Sequence, residues 1–162
     1  MTSSATASSA RSSARTPRTR TADPRSAVTV AGRRLPLPAA RVRAVVEAVL
    51  RGERRAAQLS VTFVGRDRMR RLNAEYKGHD RPTDVLAFAL PLPGGGLAGD
   101  VYVCAWVAAR EAARRRLPAR QELVRLVVHG TLHVLGWDHP EDDTRERSPM
   151  WRRQERYVAR LA

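Results

Sequence analysis

From Ala27 onward, short runs that alternate large and small residues take turns with longer runs whose apolar residues recur at helical spacing. That interleaving of two periods restricts the chain to a layered fold in which helices cover one sheet. Val28 and Val30 open the series as a short strand, and Pro36 and Pro38 lead into a helix over Ala39–Arg51. Val42, Val45, Val46 and Val49 form its inner face, and it ends before Gly52. Leu59, Val61 and Phe63 alternate in a second strand closed by Gly65. Asp67 is positioned to cap a second helix that Gly78 ends. Val85–Leu90 and Gly99–Val103 read as two further strands around the turn Pro91–Gly96. Helices follow over Cys104–Arg116 and Ala119–Leu135. A last one begins at Ser148-Pro149, a capping residue followed by a first-turn proline. The expectation is a mixed layer fold of four strands and five helices in one domain, residues 27–162.

Residues 1–26 have a different composition. They are mostly Ser, Thr, Ala and Arg, with five arginines against Asp23 and no large aliphatic side chain. Such a segment cannot offset its chain entropy by burial, so a disordered basic tail is expected. Its acid-poor, Arg- and Ser-rich character also matches an organellar transit peptide. The alternative is a dispensable tail. The whole chain carries a formal net charge of +14, of which the body supplies most, and every basic residue but Lys77 is arginine. A polyanionic partner, nucleic acid or an anionic membrane surface, follows from that charge. No apolar run is long enough to span a bilayer. The single cysteine, Cys104, excludes an intramolecular disulfide framework and fits a reducing compartment. A cytoplasmic location is therefore expected, or an organellar one if the tail is a transit peptide.

The chemistry is concentrated in His129-Gly130-Thr131-Leu132-His133-Val134-Leu135-Gly136-Trp137-Asp138-His139, which holds three of the four histidines. His129 and His133 lie four apart on a predicted helix, so their rings project from one face a turn apart. Gly136 lets the chain leave the helix and bring His139 back toward them. Three imidazoles around one point, with a position left for water, is the arrangement of a catalytic zinc site; a structural zinc more often takes four protein ligands. The bland reading is two surface histidines beside a capping glycine. The spacing is shared with the extended zinc-protease pattern H-E-x-x-H-x-x-G-x-x-H, whose glutamate is the general base. Gly130 stands in that place and has no side chain to move a proton, which argues against peptide hydrolysis.

A second polar segment runs from Leu72 to Phe88 and carries Lys77, His79 and Arg81, with Asp80 and Asp84 placed to hold the cations. On bland grounds, a helix C-terminus followed by a turn attracts such residues.

The two segments together resemble the YbeY family of metal-dependent endoribonucleases. The signature H-G-x-L-H-x-x-G-[YW]-D-H matches His129–His139, and N-x-x-[YF]-[RK]-x-x-D-x-P-T-[DN]-V-L-[SA]-F matches Asn73–Phe88. Gly99-Asp100-Val101 resembles the family's G-D-[IV] strand. The resemblance covers residues 27–162. It implies an α+β fold with a small mixed sheet, and a three-His metal site at a helix end on His129, His133 and His139. That site would hold one Zn2+ per chain or another divalent transition metal. The resemblance also implies cleavage of single-stranded RNA in 3′-end maturation of 16S-type ribosomal RNA and in ribosome quality control. The partners implied are ribosomal RNA, the small ribosomal subunit and ribosome-assembly proteins.

The family's arginine after the tyrosine, to which the resemblance gives a catalytic role, is Lys77 here. Lysine keeps the charge but loses the planar fork, so Lys77 acts as a point charge or Arg81 shares the task. Ala87-Phe88-Ala89 stands where Ser-Phe-Pro is usual. Asp138 either orients a metal ligand or caps its loop. Two other readings stay open: a non-catalytic ribosome-assembly factor with a metal site, and a metal-dependent peptidase-like hydrolase.

Overall fold

The computed structural model describes residues 25–162, and the basic-tail expectation for residues 1–26 falls almost wholly outside them. The strands are β1 (Ala27–Ala31), β2 (Gln58–Val64), β3 (Val85–Pro91) and β4 (Leu97–Cys104). The helices are α1 (Ala39–Glu53), α2 (Arg66–Lys77), α3 (Ala105–Arg115), α4 (Ala119–Val134) and α5 (Pro149–Leu161), with a single 3-10 turn at Arg145–Arg147. The sheet order is β1-β2-β4-β3. β1, β2 and β4 are mutually parallel, while β3 runs antiparallel to β4 in register Val85↔Val103 to Pro91↔Leu97. The four-stranded mixed sheet and five helices expected from the sequence are thus present.

Alternation along β2 and β4 decides the layers. Leu59, Val61 and Phe63, with Val101 and Val103, face the main core. There they meet Val42, Val45, Val46 and Val49 of α1 and Val124, Val127, Val128 and Leu132 of α4. Fully burying each such side chain contributes on the order of 1.5–3 kcal/mol, so this core carries most of the stability. Tyr102 and Cys104 point the other way, into a smaller cluster with Val64, Met69 of α2 and Leu86.

Two glycines let α4 lie close on β4. A Cβ at Gly130 would stand 2.4 Å from Val101 Cγ1, and one at Gly99 would stand 2.4 Å from Val134 Cγ1. Gly130 therefore faces the sheet, and any side chain there would force Val101 or the helix to shift.

Three local expectations need correction. α1 does not end at Gly52 but runs through Glu53, and Arg54 takes the left-handed conformation (φ 55°). Gly52 is small for another reason: a Cβ there would meet the Tyr157 hydroxyl of α5 at 2.1 Å. Asp67 is not the cap of α2; Gly65 is the N-cap, and Asp67 sits in the first turn, where its charge still complements the helix dipole. Cys104 is the last residue of β4 rather than the first of a helix. By contrast, Ser148 caps α5 as expected, its Oγ accepting from Trp151 N at 3.2 Å with Pro149 in the first turn.

Candidate metal centre

α4 is almost wholly buried, and its C-terminal turns carry His129 and His133 to the edge of the core. The helix stops in a Schellman arrangement: Gly136 N bonds His133 O at 3.0 Å and Trp137 N bonds Leu132 O at 3.0 Å. Gly136 takes φ +98°, open to glycine and strained for other residues. The reversal brings His139 back over the helix end. His139 Nε2 lies 3.3 Å from His129 Nε2 and 3.2 Å from His133 Nε2.

Each ring is oriented from its far side. His129 Nδ1 lies 2.6 Å from Gln154 Oε1 of α5, His133 Nδ1 lies 2.9 Å from Trp137 O, and His139 Nδ1 lies 2.8 Å from Pro140 O. The partners of His133 and His139 are main-chain carbonyls. The oxygen of Gln154 is identified by its own amide, which donates to Glu155 Oε1 at 3.1 Å. Carbonyl oxygens only accept, so all three Nδ1 atoms carry the proton and all three Nε2 lone pairs face one point. Three lone pairs at that separation repel unless a cation lies among them. Zn–N bonds of ~2.0–2.1 Å in a tetrahedral set place donor nitrogens ~3.3 Å apart, which both separations from His139 match, and all three ligand atoms lie within 4.8 Å of one another. The residues present fit a divalent transition metal.

The same environment disfavours protonation. His129 is only 4% exposed, and burial, followed by the neighbouring His133, pushes its pKa down to about 3 against the opposing bond to Gln154. Burial and then His139 lower that of His133. Imidazoles kept neutral are the form that binds metal.

The three histidines open on a groove of about 980 Å3, which Lys77 and Arg81 also line, together with His79 and Asp84. Sequence-distant residues thus meet at one site. Neither Lys77 nor Arg81 has a side-chain partner among the described residues, so Asp80 and Asp84 do not hold them. Asp80 instead takes Arg70 in a two-point pair at 2.9 Å, and Asp84 Oδ1 accepts from Val85 N at 2.8 Å. The Asp138 carboxylate accepts from His139 N at 2.8 Å, so its direct contact is with the loop backbone and not with a ring.

A family model described as Endoribonuclease YbeY matches residues 33–162. The chain belongs to the YbeY family. It is 42% identical over 124 residues to the Endoribonuclease YbeY of Halorhodospira halophila, covering 73% of this chain and 80% of that one. It is 44% identical over 111 residues to that of Sinorhizobium medicae, covering 65% of each. The solution structure of TM1509 from Thermotoga maritima superposes with a TM-score of 0.59 at 27% identity, over 83% of this chain and 89% of that one.

Two residues of this YbeY-family site escaped the motifs. Gln154 lies 25 positions from the ring it orients and carries no spacing signal. Arg145, on the 3-10 turn, lines the groove, and its Nε is buried without a hydrogen-bond partner among the described residues. In a chain with so many arginines, nothing local sets it apart.

Proposed function

We propose that this chain is a metal-dependent endoribonuclease that cleaves single-stranded RNA, with ribosomal RNA of the small subunit as its substrate and 3′-end maturation as its role. One observation carries the reading: in a chain of the YbeY family, three Nε2 atoms converge in a groove that two cations, Lys77 and Arg81, also line without side-chain partners among the described residues. His129, His133 and His139 would hold the ion, zinc being the best match to an all-imidazole set, one per chain. When bound, it supplies Lewis-acid polarisation of a phosphoryl oxygen. Gln154 and the carbonyls of Trp137 and Pro140 keep the rings in the binding tautomer. Lys77 and Arg81 neutralise charge that develops on the phosphate during cleavage. Peptide hydrolysis is disfavoured because position 130 points into Val101, where the protease's carboxylate would force Val101 or the helix to shift.

The catalytic assignment is tested by kcat on a single-stranded RNA. Lys77→Ala and Arg81→Ala should each lower kcat by roughly 10²–10³-fold, the usual loss for a charge-stabilising donor, with metal content unchanged. Wild-type kcat in both variants would remove these cations from the mechanism.

A further inference from the structure

The histidine groove is poorly suited to hold a polyanion by itself. Lys77, Arg81 and Arg145 are its cations, and four carboxylates, Asp84, Glu111, Asp138 and Glu141, line it with them. Even with a divalent ion on the histidines these charges come close to balancing, so a large share of the attraction for an RNA chain has to come from elsewhere, because phosphate neutralisation dominates nucleic-acid affinity.

A second groove, of about 1070 Å3, lies outside the C-terminal ends of the parallel strands β1, β2 and β4. Ligands of α/β sheets commonly settle in such a crevice. Here the charge is one-sided: Arg33, Arg34, Arg66, Arg68 and Arg71 line it against the single carboxylate of Asp67. Its floor includes Trp106, which is 39% exposed although it is a large aromatic on the first turn of α3. The guanidinium carbons of Arg66 and Arg110 each lie 4.7 Å from the centroid of that ring. An unpaired base that displaces one of these mobile guanidinium groups would stack on the indole in its place, and the surrounding arginines match the backbone phosphates.

The two grooves share their walls. On α2, Arg66, Arg68 and Arg71 face the arginine groove, while Asn73 and Lys77 line the histidine groove. On α3, Trp106 faces the first, and Val107 and Glu111 face the second. The length of α2, about 16 Å at 1.5 Å per residue, separates the two ends.

We propose that the arginine groove is a second RNA-binding surface, which holds a single-stranded segment of the substrate away from the cleavage point through base stacking on Trp106 and phosphate contacts. This rests on the endoribonuclease reading. The surface sets affinity, and the histidine groove sets chemistry.

The test measures Kd by fluorescence anisotropy for labelled single-stranded RNAs of about 16 and about 3 nucleotides, as a function of salt, using full-length protein. Arg34→Gln/Arg68→Gln should weaken binding of the longer RNA roughly 25-fold near 0.1 M salt and reduce the salt slope by about 1.4, the value for two lost phosphate contacts. Trp106→Ala should weaken it about fivefold or more. In both variants kcat at saturating RNA stays at the wild-type value, and cleavage of the short RNA is unchanged. Unchanged Kd and salt slope in the arginine double variant, with wild-type cleavage intact, would overturn the second surface while leaving the endoribonuclease reading standing. The same result combined with loss of polyglutamate binding would reassign the groove to an acidic protein. Absence of metal-dependent cleavage by the wild-type protein would instead defeat the endoribonuclease reading itself, and the proposal with it.

Discussion

Gln154→Leu isolates the contribution of ring orientation to the metal centre. Gln154 is 1% exposed and His129 is 4% exposed, and the bond between them is 2.6 Å long. Leucine preserves most of the volume but removes the acceptor, and leaves the Nδ1–H facing an apolar side chain beside the cavity of about 320 Å3 that both residues line. An orphaned buried donor costs roughly 1–3 kcal/mol, so the metal-free protein should lose about that much stability in urea denaturation. The second effect is on the tautomer. Without its acceptor, His129 is free to carry the proton on Nε2, where it blocks the donor atom. Loss of such an orienting partner typically lowers metal affinity 10–100-fold. Competition against a chromophoric zinc chelator reads that change directly. A folded Gln154→Leu protein with zinc affinity within twofold of wild type would refute the orienting role.

Gly130→Ala should destabilise the protein by up to about 2 kcal/mol in urea denaturation. Overpacking against the fully buried Val101 at 2.4 Å outweighs the roughly 1 kcal/mol that alanine adds to helix propensity. Stabilisation by the same substitution would mean that α4 does not lie this close to β4. Metal-stripped protein should lose stability as pH falls below about 6.5. The unfolded chain protonates its histidines there, whereas folded His129 stays neutral until about pH 3, so the unfolded state binds more protons. The expected slope approaches about 1.4 kcal/mol per pH unit for His129, and His133 adds to it in the same direction. Urea midpoints between pH 6.5 and 5, above the range where carboxylates titrate, check this; a flat profile would contradict the buried-neutral assignment.

The elements were legible because their signals are local. Valine at helical spacing marks α1, alternation marks β2, and Ser148-Pro149 marks the start of α5. The three-histidine cluster was legible for the same reason, since one helix turn and one glycine reversal bring its rings together. What stayed hidden depends on tertiary partners. Glu53 looks like an ordinary helix-end carboxylate, yet it accepts from Arg153 and Tyr157 at 2.7 Å and from Trp137 at 3.0 Å. Burial raises its pKa, but those three bonds together hold it below the usual value. Arg125 reads as a surface charge, but lies buried between Glu122 at 2.6 Å and Glu155 at 2.7 Å. Gly52 and Gly130 each read as something else, a helix stop and a missing base, until the structure placed Tyr157 and Val101 against them. Charge alone misled over Asp80, because Arg70, two turns back from the end of α2, presents a better fork than the loop cations do.

The most direct test of the account is cleavage of a single-stranded small-subunit ribosomal RNA precursor by purified wild-type and His133→Ala protein, each before and after chelation and zinc addition. The account predicts that wild-type cleavage is lost on chelation and restored by zinc. His133→Ala should be inactive throughout while keeping the far-UV circular dichroism of the folded chain. Cleavage by His133→Ala at the wild-type rate would contradict it.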